Sequence, residues 1–424
     1  MSENVELRER VREFVLGEFK PDFGRPADRF DTNPLWARME ELGTRLWLDT
    51  GSMEESESLW TREFSALTTN NTLLNREVQR GQYDGLVKDA AALLAEFNLS
   101  EQERMLEIAF ILNARHGLRL VEKYDALVSV EEHTDLAHDL DRAKLYARRY
   151  HEICPERFIV KIPFTPAGLL ATRAVAEEGI PVNHTLGFSA RQNYLIAAVG
   201  KPSYVNVFLG RLNSFVADNG LGDGTYVGEK ATLGSQALIR ELRAAKGLPT
   251  MQIGASLRSG EQIRDLAGLD VLTMPPKAAQ QFLELGLSPD ALQESTTRDY
   301  KPGLADSETA AKSGLDVLWS RDERLVQCVA ALEQEDLGAM GPDALVAFFA
   351  EHGCADVLVA WSETQRATSA EEGKIPKLEN WREPLENHTV GLDSLMNLAG
   401  LNAFIADQAA MDARVAGVLV EGGQ

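Results

Sequence analysis

A lysine lies near the end of a short apolar segment, residues 157–164, and its setting suggests covalent chemistry. An apolar run of this length is typical of a buried parallel strand, and lysine is among the residues least often fully buried. Burial disfavours the charged form, so the amine of Lys161 is expected to be a nucleophile that forms Schiff bases with carbonyl groups. Alternatively, Lys161 extends its ammonium group to water at the strand end. This segment alone does not decide between the two.

Ionisable side chains also lie at the ends of other short apolar segments. Asp49 and Glu131 each end a segment, and Arg211 and Arg258 follow theirs by a few residues. If the segments are strands of one parallel barrel, their carboxyl ends converge on one face, where such barrels hold their active sites. Together with Lys161, these residues favour a catalytic site over a set of solvated loop charges.

Eight short apolar segments separated by helical patterns predict an α/β fold, a (β/α)8 TIM barrel with extra N-terminal helices and a largely helical C-terminal insertion. The segments are 45–49, 64–69, 126–131, 157–164, 180–185, 204–208, 251–256 and 270–274. A helix signal after the fourth segment supports this alternation, because Thr165 suits an N-cap, Pro166 the first turn, and Gly179 the position past the end.

The chain is divided into four regions by these patterns. They are an N-terminal helical extension (1–42), the barrel core (43–282), an insertion of unknown role (283–384) and a C-terminal helix packing on the barrel (385–424). Within the insertion, residues 355–361 suggest an extra strand or a buried helical turn, and residues 364–381 suggest a loop. The last helix is predicted at about 392–418, across the barrel or over its mouth.

Composition limits the classes of partner. The 424 residues carry a formal net charge of −22, which argues against nucleic acid and against an anionic membrane surface. An anionic substrate therefore needs a local arginine cluster. Three cysteines without CxxC spacing argue against a disulfide framework or a zinc site. The chain shows no signal-peptide pattern and no apolar run of transmembrane length, so we expect a cytoplasmic protein.

Several segments resemble transaldolases, which are class I aldolase barrels. Residues 158–163 and 179–186 are similar to the Schiff-base strand and the following strand of that family. Further similar segments occur in the family's order at 48–51, 68–70, 129–131, 208–211, 254–258 and 404–408. The resemblance covers roughly residues 43–280 and the last thirty residues, and so many motifs in one order make it specific.

The resemblance implies the catalytic residues. Lys161 is expected to attack the C2 carbonyl of a ketose and form an imine. Asp49 is expected to be the general base at the C4 hydroxyl, driving cleavage of the C3–C4 bond. Glu131, through a water shared with Thr185, is expected to move protons while the carbinolamine forms and loses water.

Binding residues follow from the same resemblance. Asn70 and Asn183 are expected to hold the hydroxyls of a bound dihydroxyacetone unit. Arg211 and Arg258, with Ser256, are expected to bind the substrate phosphate, a task that suits the planar guanidinium group. No metal and no cofactor are implied beyond the covalent imine on Lys161.

The chain departs from the family pattern at a few positions. Asn71 and Thr72 stand where the family usually has proline and serine, and Asn206 replaces a serine that contacts C1 of the donor. Relatives that release free dihydroxyacetone carry glutamine at the position of Glu131 and tyrosine at that of Phe208, so both residues here favour transfer.

The implied activity is ping-pong transfer of a dihydroxyacetone unit from fructose 6-phosphate or sedoheptulose 7-phosphate to an aldose phosphate, as in the pentose phosphate pathway of carbohydrate metabolism. Two alternatives remain open. One is an aldolase of the fructose 6-phosphate type that releases free dihydroxyacetone, and the other is a similar enzyme of a specialised sugar pathway. The expected partners are sugar phosphates alone, and the chain is expected to be a monomer or a homodimer.

Overall fold

Eight parallel strands form a closed barrel in the computed structural model, which describes residues 5–17, 19, 22–25, 27–306 and 313–421. Each strand pairs with the next, and β8 pairs with β1. The strands are β1 (Arg45–Asp49), β2 (Phe64–Thr68), β3 (Leu127–Glu131), β4 (Phe158–Pro163), β5 (Val182–Thr185), β6 (Tyr204–Phe208), β7 (Met251–Ala255) and β8 (Val271–Met274). All lie within the predicted segments, so the prediction of a (β/α)8 barrel is confirmed.

Helices lie between the strands and at both ends of the barrel. Those up to β8 are Val5–Leu16, Pro34–Glu41, Met53–Leu59, Asn71–Gln79, Asp84–Leu94, Glu101–Tyr124, Leu140–Ile153, Pro166–Glu177, Ala190–Leu195, Leu209–Asp218, Val227–Lys246 and Gly260–Asp265. After β8 come Pro276–Glu284, Glu323–Leu332, Pro342–Glu351, Glu363–Glu372, Leu378–Glu386 and Leu392–Glu421. Short 3₁₀ turns occur at Ala27–Arg29, Thr134–Leu136, Pro289–Ala291 and Leu315–Leu318, and a π-helical turn at Ile196–Gly200. No helix in these described ranges has both the length and the apolar character needed to cross a bilayer.

An apolar layer fills the barrel interior below the predicted site. Its residues precede the predicted site residues by two positions on the same strands. Trp47 and Tyr204 meet edge to face across the barrel, with their ring centroids 4.7 Å apart, and Ile159 belongs to the same buried cluster. Side chains alternate along a strand, so the residue two positions later points into the barrel one layer higher. A closed apolar floor therefore lies beneath Asp49 and Lys161.

Local signals fix where the connecting helices begin. The Thr165 hydroxyl accepts the N–H of Gly168 at 2.8 Å, Pro166 occupies the first turn, and Gly179 follows the helix with a φ of +84°. The expected N-cap, first-turn proline and C-terminal glycine are all present. Because this cap directly follows β4, the helix leaves the barrel face at once and keeps the strand end accessible.

Two predictions within the insertion are wrong. Residues 355–361 form turns and an irregular segment, because the Asp356 carbonyl accepts the N–H of Gly391 at 3.0 Å and the Ser394 hydroxyl at 2.8 Å instead of joining a helix or a sheet. Most of residues 364–381 is helical, in Glu363–Glu372 and Leu378–Glu386. The first of these helices starts at a capping box formed by Ser362 and Gln365, which offsets its polar composition.

A buried ion cluster joins the barrel, the insertion and the last helix. Arg191, after β5, donates to Asp356 of the insertion at 2.6 Å and to both carboxylate oxygens of Asp393 at 2.8 and 2.7 Å. Ser189 donates to the same Asp393 at 2.6 Å. The pKa of Arg191 is raised, because the attraction of the two carboxylates outweighs the burial that acts first to lower it. The cluster fixes the insertion to the strand ends on this side of the barrel.

We expect Arg191→Met to destabilise the protein by about 3–5 kcal/mol, because the variant leaves the buried Asp393 without its cation and leaves Asp356 with Arg324 alone at 3.3 Å. The free energy of unfolding from urea denaturation measures this effect. Lys144→Met is the matched control, since Lys144 pairs with Asp141 at the surface and its loss is expected to cost less than about 1 kcal/mol. Equal losses in the two variants would show that the cluster does not hold these regions together.

Candidate active site

A cavity of about 400 Å³ opens at the carboxyl ends of the strands. Most of the site residues predicted from the sequence line it, namely Asp49, Asn70, Lys161, Asn183, Asn206, Phe208, Arg211, Ser256 and Arg258. Glu131 and Thr185 are buried beside it, Glu131 against the amine of Lys161 and Thr185 at the end of β5. The barrel therefore brings the predicted residues to one face.

Strand register sets three of these side chains at one level. Glu131 on β3 pairs with Lys161 on β4, and Lys161 pairs with Asn183 on β5. The three side chains point inward from adjacent strands, because neighbouring positions in a parallel sheet share a face. A shift of one residue on any of the three strands would turn its polar side chain outward into the helical shell.

The amine of Lys161 is enclosed. Its Nζ donates to the Thr69 carbonyl at 3.3 Å, lies 3.5 Å from Oε2 of Glu131 and is 5.7 Å from the ring centroid of Phe404. Lys161 is 4% exposed, so its side chain does not extend into bulk water. Of the two interpretations of the sequence, the geometry favours the buried amine.

Two carboxyl groups flank the amine, and burial raises the pKa of both. For Glu131 the opposing influences are the charge of Lys161 and the N–H of Asn71, which donates to Oε2 at 3.3 Å. For Asp49 they are the charge of Lys161 and the Thr68 hydroxyl, which donates to Oδ1 at 2.8 Å. Carboxyl groups whose pKa moves toward neutrality can both accept and donate protons.

Amide and hydroxyl groups complete the inner part of the cavity. Asn206 donates to Oδ1 of Asn183 at 3.0 Å, and Asn183 donates to the Ser129 hydroxyl at 3.1 Å. The Asn206 Oδ1 and the Thr185 hydroxyl are buried and have no hydrogen-bond partner among the described residues. Buried polar atoms without partners are rare in folded proteins, so these two are suited to meet a polar ligand.

Asn70 combines a structural and a binding position. Its Oδ1 accepts the N–H of Leu73 at 2.9 Å and so caps the helix Asn71–Gln79, while the residue lines the cavity. The side-chain nitrogen donates to no residue in the described ranges, which leaves an N–H₂ group available at the cavity wall. Asn71, a departure from the family pattern, contacts Glu131 through its backbone.

Two arginines form a cationic wall. Arg211 is 7% exposed, its Nη1 has no partner within the described part of the chain, and burial together with the nearby Arg258 lowers its pKa to about 10. A Cβ at Gly210 would overlap the backbone carbonyl of Ser256 and come within 2.8 Å of Nε of Arg258, so glycine lets the helix that carries Arg211 approach the Ser256–Arg258 segment. Ser256 adopts φ +64°, a strained conformation typical of functional sites. Such a wall attracts an anion.

Several lining residues were not predicted from the sequence. Phe404 reaches the cavity from the last helix and lies 5.6 Å from the guanidinium carbon of Arg211. Arg76, Lys277 and Lys374 also line the cavity, and Lys374 comes from the insertion. Lys277 follows β8 by three residues, the spacing of Arg211 after β6, so the strand-end signal could have found it. The other three follow no strand directly. Within the described residues, no cluster of three or more His, Cys, Asp or Glu side chains is arranged to hold a metal ion.

Comparison with known proteins gives a consistent set of relatives. Residues 46–318 match the family model described as transaldolase/fructose-6-phosphate aldolase. A protein named probable transaldolase from Thermus thermophilus is 31% identical over 246 residues, which are 56% of this chain and 90% of that protein. Transaldolases from Xanthomonas euvesicatoria and Photorhabdus laumondii are each 28% identical, over 57% and 51% of this chain and 74% and 70% of their own lengths.

We expect Asp49→Asn to stabilise the fold at neutral pH. The folded pKa of Asp49 is raised, so the unfolded chain loses this proton at a lower pH than the folded protein does. The contribution of Asp49 to the free energy of unfolding therefore falls as the pH rises from the unfolded pKa to the folded pKa, and it is absent at every higher pH. The uncharged amide removes that penalty, and a rise of roughly 2 °C in Tm is expected at pH 7.5.

The gain should narrow as the pH falls through the folded pKa of Asp49 toward the ordinary value of 3.8, because the folded protein then keeps this carboxyl protonated and uncharged. Asp89→Asn, on an exposed part of helix Asp84–Leu94, is the control and should leave Tm unchanged. A lower Tm for Asp49→Asn at pH 7.5 would mean that attraction to Lys161 outweighs the cost of burial.

Proposed function

The chain belongs to the transaldolase/fructose-6-phosphate aldolase family and is a transferase, and on this basis we propose that it moves a dihydroxyacetone unit from a ketose phosphate to an aldose phosphate through an imine on Lys161. Fructose 6-phosphate and sedoheptulose 7-phosphate are the proposed donors. The proposed pathway is the pentose phosphate pathway, the proposed compartment is the cytoplasm, and the proposed mechanism uses no cofactor.

One observation carries the proposal. The amine of Lys161 is buried 3.5 Å from Glu131, on a strand whose neighbours supply Glu131 and Asn183 at the same level. An amine that serves only for solubility lies at the surface, whereas this one faces a cavity walled by two arginines. A nucleophile and an anion-binding wall in one cavity suit a phosphorylated carbonyl compound.

Imine formation begins the reaction. The neutral amine of Lys161 adds to C2 of the ketose, and the carbonyl oxygen gains a proton to give the carbinolamine. The nitrogen gives up one of its two protons, the hydroxyl takes up a proton and leaves as water, and the nitrogen lone pair forms a C2–N double bond that keeps the second proton, which is the protonated imine. Glu131, next to the amine, and the unpartnered hydroxyl of Thr185 move these protons through a shared water.

Bond cleavage uses the second carboxylate. Asp49 takes the proton of the C4 hydroxyl, the C4–O bond becomes a carbonyl, and the C3–C4 bonding electrons move into the protonated imine to give an enamine. The shortened aldose phosphate then leaves. The raised pKa of Asp49 suits this exchange, because the same group must return the proton to the alkoxide formed when an acceptor aldehyde is attacked.

The arginine wall holds the phosphate of donor and acceptor in turn. The buried Nη1 of Arg211 has no hydrogen-bond partner among the described residues. Arg258 lies nearby, and Ser256 stands between the end of β7 and Arg258 in sequence. Asn70, Asn183 and the Oδ1 of Asn206 contact the hydroxyls of the three-carbon unit. With both ends of the sugar fixed, C2 stands at the amine of Lys161 and the C4 hydroxyl at Asp49.

Borohydride reduction in the presence of fructose 6-phosphate is expected to attach a three-carbon unit to Lys161, because reduction converts the imine or its tautomer into a stable amine. Peptide mass spectrometry locates the adduct. Lys161→Ala is expected to abolish labelling and activity. The matched control is Lys88→Ala, an exposed lysine on helix Asp84–Leu94, which should label as the natural protein does.

Labelling of another lysine, or none with any phosphorylated ketose, would contradict the mechanism. Circular dichroism of Lys161→Ala separates loss of chemistry from loss of folding, since the variant leaves Glu131 buried without its cation.

Transfer of dihydroxyacetone requires an acceptor and its release does not, so the effect of an added acceptor on the rate distinguishes the two activities. With fructose 6-phosphate alone we expect slow turnover, and adding erythrose 4-phosphate should raise the rate roughly tenfold or more, since the enamine is then consumed by the aldehyde. The double variant Glu131→Gln with Phe208→Tyr should shift the ratio toward free dihydroxyacetone. Equal rates with and without acceptor would instead support the aldolase alternative.

A further inference from the structure

The cavity has a charge opposite to that of the whole chain. Among the described residues that line it, two are acidic, Asp49 and Glu55, and six are basic, while the chain as a whole carries a net charge of −22. The basic residues are Arg76, Lys161, Arg211, Arg258, Lys277 and Lys374. Five of these positions belong to the barrel and its connections, and Lys374 alone comes from the insertion. The excess of positive charge predicts that more than the two arginines take part in binding an anion.

Lys374 has no competing partner. It is exposed at the cavity mouth and forms no ion pair or hydrogen bond with another residue of the described ranges. Some surface lysines are held by a carboxylate, as Lys246 is by Glu333 at 2.5 Å and Lys144 by Asp141 at 2.8 Å, whereas Lys374 is not. An unpaired lysine that faces a cationic cavity is repelled by its neighbours, so its position needs a structural cause.

The turn that carries Lys374 is clamped on its insertion side. The Glu372 carboxylate accepts the N–H of Lys377 at 3.1 Å, the indole N–H of the buried Trp381 at 2.8 Å and the amide of Asn380 at 2.6 Å. Gly373 adopts φ +75° and ψ −138°, a conformation open to glycine and costly for other residues. The turn reverses here and directs Lys374 away from the helix Glu363–Glu372.

A second clamp fixes the same turn to the barrel. Asn219 donates through Nδ2 to the Pro376 carbonyl at 3.0 Å and accepts through Oδ1 the N–H of Leu378 at 2.7 Å. Asn219 directly follows the helix Leu209–Asp218, whose first turn carries Arg211. One rigid helix therefore links the position of Lys374 to that of the arginine wall.

We propose that Lys374 is a specificity-determining residue that binds the phosphate end of the aldose and ketose phosphates, so that the insertion completes the substrate site of the barrel. The inference rests on the proposed function and adds a recognition element from outside the barrel. The imine chemistry does not depend on Lys374, because Lys161, Glu131 and Asp49 all lie on strands of the barrel. Its contribution is to the binding of phosphorylated substrates over unphosphorylated ones.

Acceptor kinetics at saturating fructose 6-phosphate test the proposal. For Lys374→Met we expect kcat/KM for erythrose 4-phosphate to fall roughly tenfold, mostly through KM, because a contact made equally in the ground and transition states acts on binding. For unphosphorylated erythrose, kcat/KM should be unchanged. Lys374→Arg should retain most of the preference, and Lys374→Glu should lose more than Lys374→Met.

The matched control is Lys377→Met, which removes an exposed lysine of the same turn that does not line the cavity. It should behave as the natural protein does. Asn219→Ala tests the clamp, and since its side chain positions the turn, it should reproduce part of the Lys374→Met loss for erythrose 4-phosphate alone.

Imine trapping distinguishes a failure of the role of Lys374 from a failure of the proposed function. Labelling of Lys161 in all variants, with the loss confined to phosphorylated acceptors in Lys374→Met, supports the inference. If Lys161 is labelled and Lys374→Met prefers erythrose 4-phosphate over erythrose as strongly as Lys377→Met does, the inference is overturned and the proposed function stands. The same holds if Lys374→Met loses kcat/KM equally for both acceptors. Absence of labelling in every protein overturns both.

Discussion

The register of a closed parallel barrel is the constraint on which the site depends. It holds the Lys161 amine at the level of Glu131 and Asn183, two residues above an apolar floor that contains Trp47. A buried amine and buried carboxyls are each costly alone, and they persist because their charges are arranged together. Burial raises the pKa values of Asp49 and Glu131 against the opposing charge of Lys161, so the enclosure that brings these groups together also prepares the carboxyls for proton transfer.

The barrel strands supply the chemical groups, and the C-terminal regions complete their enclosure. The last helix brings the Phe404 ring to 5.7 Å from the Lys161 amine and 5.6 Å from the Arg211 guanidinium, and the insertion brings Lys374 to the mouth. Both regions are fixed by polar contacts to barrel loops, through Arg191 on one side and Asn219 on the other. The region beyond the strands is therefore part of the substrate site in this account, and substrate preference can differ while the imine chemistry is kept.

Much of the barrel was predictable because its signals are local. Short apolar runs separated by helical patterns located every strand, and the Thr165 cap located a helix start. The insertion was harder, since residues 355–361 look strand-like yet bond to the last helix, and the polar helix Glu363–Glu372 depends on its capping box. Lys374 was not predictable, because its place in the cavity depends on a turn clamped by residues more than 150 positions apart in sequence.

A crystal structure of the protein reduced with borohydride after exposure to fructose 6-phosphate tests the central claim most directly. The account predicts continuous density from the Lys161 Nζ to C2 of a three-carbon unit whose hydroxyls contact Asn70 and Asn183. A further soak with erythrose 4-phosphate should place its phosphate against Arg211. Density for an intact sugar not bonded to Lys161, or a three-carbon unit attached to a different lysine, would contradict the account.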